Sequence, residues 1–356
     1  MRKTICFFGI YNPTYSRNEV LREGLETHGW RILDCLVDPQ KYHGLKKYWK
    51  LSVLFSRMRK SADFVLVLYP GQSVLWLARL LAPGKKIIFD AFTSPYDSNV
   101  FDRQLYPAKS PLGFKDFFFD WLSWRLADIN ITDTKENLNY WQEKYSRRDH
   151  CLVVFVGSKI KAKSTLTRQP RLDNRFIVHF HGHYIPLQGV SYIIEAAKIL
   201  ADCKDIIFRV IGKGQEYEKV QRLTRKLGLS NVEFFPEMNY EKLKEKITEA
   251  DIVLGIFGHT PKTARVIPNK VFEGLAMGKP VLTADTPAIA ELLEDNINVS
   301  LCRQADPRSL AQKIVFLEKH EQLRKQIGQN GKHLYNERLR PGKIVEQLSS
   351  TLENYV

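Results

Sequence analysis

Short, almost wholly apolar runs recur along the first half of the chain, at residues 4–8, 32–37, 64–69, 86–90, 129–132 and 152–155, separated by helix-length segments of mixed polarity. Unbroken apolar runs, as opposed to alternating ones, predict parallel strands buried on both faces of a sheet. Residues 18–29 typify the connections: Val20, Leu21 and Leu25 fall on one helical stripe, and His28-Gly29 supply the stop. The first run follows two basic residues, but Tyr11-Asn12-Pro13 end it too early for a leader, so it predicts a buried first strand.

The pattern lapses from 156 to 175, where the polar, basic stretch 158–165 predicts a linker. It then restarts, with strands at 176–180, 206–211, 232–235, 252–256, 280–283 and 299–302. Helices are predicted over 190–200, 216–227, 240–249, from about 269, and over 288–293. The fold class expected is α/β, with two Rossmann-like doubly wound parallel-sheet domains facing each other across a cleft. The expected boundaries are 1–160, 176–335, and 336–356 for a terminal helical segment broken at Arg340-Pro341-Gly342. A length of 356 residues suits two such cores. Runs such as 64–69 are far too short to span a bilayer.

Charge changes this picture by adding a class of ligand. The net charge is +15, and the first 170 residues carry 27 Lys and Arg against 16 Asp and Glu. A basic field attracts phosphates of any kind. No recognised reader motif accompanies it, which disfavours nucleic acid. Segment 46–60 mixes cations with Tyr48, Trp49, Leu51 and Phe55 at helix-like spacing, which suits an anionic membrane or a helix packed on the sheet with a solvated basic edge. The five cysteines are scattered and mostly in apolar runs, as expected of reduced thiols in a cytoplasm.

The stretch from Arg265 to Leu282, reading RVIPNKVFEGLAMGKPVL, carries the most chemistry. Pro268 marks a helix start and Gly278 its end. Unpaired amides and the dipole at such a start favour an anion, pyrophosphate included. Lys270 and Glu273, three residues apart, share a face, so an ammonium could meet phosphate while a carboxylate accepts ribose hydroxyls. A surface ion pair on an ordinary amphipathic helix would have the same spacing.

Here the chain resembles glycosyltransferase family 4, with its two-domain GT-B architecture. Phe272-Glu273-Gly274-Leu275-Ala276-Met277-Gly278-Lys279-Pro280-Val281 is similar to that family's donor motif, which makes Glu273 the ribose ligand by resemblance. Where the family has a second Glu near the donor sugar, this chain has Arg265. Where the family has two diphosphate-binding cations after the first strand of the second domain, His183 and Gln188 stand in His181-Gly182-His183-Tyr184-Ile185-Pro186-Leu187-Gln188-Gly189. Neutral donors bind phosphate less strongly than charged ones, so Lys270 is the expected replacement.

Other candidates for the donor site are Gly212 and Lys213 after a predicted strand, Pro236 and Met238 at the turn where the family holds the nucleobase, His259 in a strand-end loop, and Pro268 and Asn269 at the helix start. For the acceptor the candidates are Gly9, Tyr15 and Arg17 after the first strand, and Asp97, with Asp90 to orient or deprotonate the acceptor hydroxyl. A helix cap or a salt bridge to Arg103 would serve Asp90 as well. His179, His181 and His183 alternate along a strand and so share one side, with no cysteine or carboxylate nearby to complete a metal set. Neither a metal nor a cofactor is expected. The resemblance implies a retaining hexosyltransferase that uses a UDP- or GDP-sugar donor and a lipid-linked or polysaccharide acceptor, cytoplasmic and peripheral on the membrane. Its rivals are a nucleotide-sugar epimerase of the same architecture and a non-catalytic binding subunit.

Overall fold

The structure is a computed structural model that describes residues 3–38, 40–160 and 175–355; the part of the predicted linker from Lys161 to Thr165 lies outside these. The chain divides into two compact units, one of Met1–Lys159 with Arg340–Val356, the other of Ile160–Leu339.

In the first unit the strands are β1 (Thr4–Gly9), β2 (Arg31–Leu36), β3 (Phe64–Val67), β4 (Lys86–Asp90), β5 (Ile129–Thr132) and β6 (Cys151–Val153). They form one parallel sheet in the order β2-β1-β3-β4-β5-β6. Every residue of β1, β3 and β5 is buried, which is why these strands read as unbroken apolar runs. The connections are α1 (Ser16–Thr27), α2 (Lys46–Met58), α3 (Leu75–Leu81), α4 (Pro111–Leu126) and α5 (Lys135–Tyr145). Ser110 and Thr134 cap α4 and α5 by accepting from the amides of Gly113 and Asn137. Phe89, Trp124 and Trp141 join this core, with the two indoles stacked 5.2 Å apart.

In the second unit the strands are β7 (Phe176–His181), β8 (Ile206–Ile211), β9 (Val232–Phe235), β10 (Ile252–Leu254), β11 (Val281–Ala284) and β12 (Ser300–Cys302). Their parallel order is β12-β11-β10-β7-β8-β9. The helices are α6 (Val190–Ile199), α7 (Tyr217–Lys226), α8 (Tyr240–Glu249), α9 (Asn269–Ala276), α10 (Pro287–Ala290), α11 (Pro307–Lys319) and α12 (Glu321–Leu334). The helix predicted over 288–293 is shorter, because it ends at Ala290. Two short helices, α13 (Pro341–Ile344) and α14 (Glu346–Glu353), return to the first unit. There α13 packs on α1 and Trp30 Nε1 donates to Ser349 Oγ at 2.8 Å.

In each sheet the strand order reverses direction once, between β1 and β3 in the first unit and between β7 and β10 in the second. The connections leave opposite faces there, opening a crevice at the strands' carboxyl ends where ligands of doubly wound sheets bind. In the second unit that position belongs to His181-Gly182 at the end of β7 and to the loop that leads from β10 to α9.

Candidate functional site

Helix α9 begins immediately after Pro268, which is its N-cap residue (φ −75°, ψ 154°) and not a residue of its first turn; no side chain caps this end. Gly278 terminates it in the left-handed conformation (φ +68°). Both residues expected to act from this helix are buried: Lys270 is 4% exposed and Glu273 5%. They form no ion pair with each other, so the surface-pair alternative does not describe them.

Lys270 reaches from α9 to the loop after β7. Its ammonium donates to Gln188 Oε1 and lies 3.7 Å from the centroid of the Phe180 ring, over its face. Burial pushes its pKa well below the ordinary lysine value, against a smaller upward pull from Glu273. Among the described residues no carboxylate pairs with it. Glu273 turns the other way, with Oε2 2.7 Å from His181 Nε2. The four residues thus come from two elements, β7 with its following loop (His181, Gln188) and α9 (Lys270, Glu273).

That loop is pinned in place. The amides of Phe257 and Gly258 donate to the carbonyls of Gln188 and Leu187, at 3.1 and 3.2 Å, tying it to the loop after β10. On its other side Tyr184 N donates to Lys213 O at 2.8 Å. Gly212 (φ +137°) passes so close that a Cβ there would meet Gly182 O at 2.0 Å, which only glycine permits. Lys213 itself is exposed and pairs with Glu237 at 2.5 Å, which lowers the pKa of that carboxyl.

The remaining candidates of this unit sit further out. His183 is exposed beyond the end of β7, so it does not share a strand face with His179 and His181. His259 is exposed, with Nδ1 3.3 Å from Tyr192 OH. Pro236 is exposed and Met238 half-buried at the turn after β9, where Phe235 O accepts from Gly212 N. Arg265 ends a 3-10 turn, Thr263–Arg265, half-buried before α9, and Asn269 is half-buried at the helix start.

In the first unit the structure corrects one pair of expectations. Arg17 and Asp90 are both 0% exposed, with Arg17 Nε 2.8 and 3.0 Å from the two carboxylate oxygens and Nη1 donating to Val154 O at 2.8 Å. A carboxylate enclosed and neutralised in this way cannot deprotonate an acceptor hydroxyl, and Arg17, fully enclosed with it, is not open to an acceptor. The partner of Asp90 is Arg17, not Arg103. Tyr15 is half-buried against Tyr69 and Phe92 at the carboxyl ends of β1, β3 and β4. Gly9 ends β1, and Asp97 is buried at the start of the π-helical turn Asp97–Asp102.

Sequence reasoning missed three residues. Phe180 reads as core, and its ring face under Lys270 has no signal in the pattern. His181 was noted only for its alternation. Asp120, on α4, is a fully buried carboxyl that accepts from Ser94 Oγ (2.6 Å), Tyr96 N (3.0 Å) and Tyr145 OH (3.1 Å), and burial pushes its pKa up to about 7. An acid among Phe117, Phe118, Phe119 and Trp121 looks like the polar edge of an amphipathic helix.

Two doubly wound six-stranded parallel sheets, one per unit, with a crevice at the β7–β10 reversal, define the GT-B class of fold. A structure of Anabaena HepE in complex with UDP-glucose superposes with a TM-score of 0.74 at 15% identity, over 99% of either chain. Residues 163–334 match the family model described as glycosyl transferases group 1, a match that falls within the second unit. Among curated proteins the chain is 28% identical over 153 residues to an uncharacterized glycosyltransferase of Methanocaldococcus jannaschii, MJ1178, covering 43% of this chain and 41% of that protein. It is 22% identical to the chitobiosyldiphosphodolichol beta-mannosyltransferase of Kluyveromyces lactis, over 82% of this chain and 74% of that one. The chain thus spans less than half the length of MJ1178.

The Arg17–Asp90 geometry makes a prediction about stability. Arg17→Met strands a buried carboxylate and should cost about 3–5 kcal/mol in urea denaturation, whereas Arg17→Met with Asp90→Leu recovers much of the loss. A single variant of near-native stability would contradict the structural role.

Proposed function

We propose that the chain is a glycosyltransferase whose donor is a sugar carried on a nucleoside diphosphate, UDP or GDP, gripped by the segment 268–273. The observation that carries this reading is the Lys270 ammonium, buried on the first turn of a helix whose start no side chain caps, with only an amide oxygen and a ring face as partners among the described residues. An ammonium so desolvated gains most from an anion, and a diphosphate at the α9 start would meet it together with the free amides. Glu273, one turn further along, retains an oxygen to accept ribose hydroxyls. Gly212 and the turn at Pro236–Met238 would border the nucleoside; Arg265 and His259 are assigned to the sugar, and His183, exposed at the loop's edge, to the outer phosphate.

As the glycosidic bond breaks, charge accumulates on the leaving diphosphate. Fixed donors that match it there stabilise the transition state more than the ground state. Retention of the anomeric configuration and a lipid-linked or polysaccharide acceptor are assigned on the family resemblance, with the acceptor held by the first unit near Gly9, Tyr15 and Asp97. The acceptor's base is left unassigned, since Asp90 is enclosed.

We infer further that the first unit docks on an anionic membrane. Helices α2, α3 and α4 pack in succession, and each leaves large apolar side chains exposed: Trp49 at 64%, Leu80 at 68%, Phe114 at 63%, Phe118 at 50%. Leu51 and Phe55 of α2 are buried under them. Both readings of segment 46–60 therefore combine, with one stripe packed inward and Trp49 among Lys46, Lys47 and Lys50 facing outward.

Three measurements test these assignments. Isothermal titration with UDP and GDP should show one binding tighter, and Glu273→Gln and Lys270→Met should each weaken it by about tenfold or more while the melting temperature holds. Unchanged affinity in both variants would remove the site. Donor hydrolysis in excess EDTA should equal that with Mg2+, since the diphosphate is met by Lys270 and helix amides; loss on chelation would place a metal there. Vesicles containing phosphatidylglycerol should sediment the protein in a salt-sensitive way, phosphatidylcholine vesicles far less. A Trp49→Ser, Phe114→Ser, Phe118→Ser variant should stay in the supernatant, and equal sedimentation of variant and parent would refute the surface.

A further inference from the structure

Behind Glu273 stands a pair of histidines. Positions 179 and 181 alternate along β7 and so share one face of the sheet. His179 Nε2 lies 3.0 Å from His181 Nδ1, and His181 Nε2 lies 2.7 Å from Glu273 Oε2. His179 is wholly enclosed and His181 nearly so.

The chemistry of these groups gives the chain a direction. An ionised carboxylate only accepts, so the proton between His181 and Glu273 belongs to Nε2 of the histidine. In the arrangement that fits both contacts, His181 Nδ1 presents its lone pair and accepts a hydrogen bond from the Nε2–H of His179. His179 Nδ1 is buried without a hydrogen-bond partner, the end of the line. Burial is the main force holding His179 neutral, and the cationic Arg209, Lys270 and Lys279 push the same way. Each ring thus donates toward α9. One oxygen of Glu273 is fixed from behind, and Oε1 has no hydrogen-bond partner among the described residues.

We propose that His179 and His181 are positioning residues for nucleotide recognition: their relay locks the Glu273 carboxylate so that its second oxygen is held ready for a ribose hydroxyl. This rests on the assignment of Glu273 to the donor's ribose. A free glutamate has three side-chain torsions to order on binding, and a carboxylate already clamped at one oxygen has little left to lose. Second-tier hydrogen bonds of this kind fix the orientation of a contacting group in the way they fix metal-binding histidines.

The experiment is isothermal titration of the full chain with UDP and GDP, taking whichever binds more tightly, in parallel with its 2′,3′-dideoxy analogue. His181→Phe should weaken the ribonucleotide by about tenfold and the dideoxy analogue hardly at all, because the contact being positioned is missing from that ligand. His181→Gln, whose amide donates from near the Nε2 position, should recover most of the loss. His181→Asn, with its amide too short, should not. His179→Phe should lose about threefold, again only for the ribonucleotide. Should His181→Phe fail to fold by circular dichroism, the Gln and Asn variants carry the comparison.

Equal losses for both ligands would reduce the histidines to fold support, and no loss for either would remove them from recognition; either result overturns the proposal. Glu273→Gln separates the two levels of the argument. If it leaves the ribose-to-dideoxy ratio untouched, the ribose assignment itself has failed. If it collapses that ratio while His181→Phe preserves it, the positioning relay alone is wrong.

Discussion

The second unit is organised around an ammonium that its own side chains only partly satisfy. Lys270 is withdrawn from water, placed on the face of Phe180 and given one amide oxygen, that of Gln188. Desolvating a cation costs several kcal/mol unless a counter-charge repays it, and Glu273, three residues further along the same helix, is bonded instead to His181. The rest of the unit holds this arrangement still. The loop bearing Gln188 is tied to the β10 loop by two amides, Gly212 lets the β8 loop close against Gly182, and α9 is anchored at its far end by a left-handed glycine.

The first unit handles a buried cation in the opposite manner. Arg17 is fully enclosed, but Asp90 meets its guanidinium and Val154 O takes a further N–H. Charge is balanced within the fold, so that point carries no unmatched cation. The contrast explains why both residues lie at strand or helix ends of doubly wound sheets and yet only Lys270 is a candidate for recognition. Position at a carboxyl edge is a weak criterion, and unbalanced charge there is a stronger one.

The apolar rhythm made the sheets legible. Parallel strands buried on both faces leave a signature that survives without knowledge of partners, and the predicted runs at 86–90, 129–132, 206–211 and 232–235 coincide with β4, β5, β8 and β9. Strand neighbours were not legible, because the β2-β1-β3 and β10-β7-β8 reversals depend on which loops cross over which face. In the site, Lys270 and Glu273 stood out by spacing within one helix. Their actual partners, Gln188, Phe180 and His181, lie some ninety residues upstream on another element, and no local pattern links the two. The same limit misdirected Asp90: a strand-end carboxylate looks catalytic until the arginine 73 residues away is seen to enclose it.

Local spacing therefore identifies which groups bring chemistry, and tertiary pairing decides what they can do with it. Glu273 is the clearest case. On α9 alone it is an acid one turn beyond a lysine, equally suited to neutralising that lysine or to facing solvent. The histidines of β7 take one of its oxygens and so break the simplest use, an internal ion pair with Lys270. That single hydrogen bond leaves a cation and a carboxylate on one helix, both buried and neither paired with the other. A nucleoside diphosphate has the complementary pair of features, an anionic diphosphate next to a pentose with hydroxyl donors, and the proposed donor assignment rests on that match.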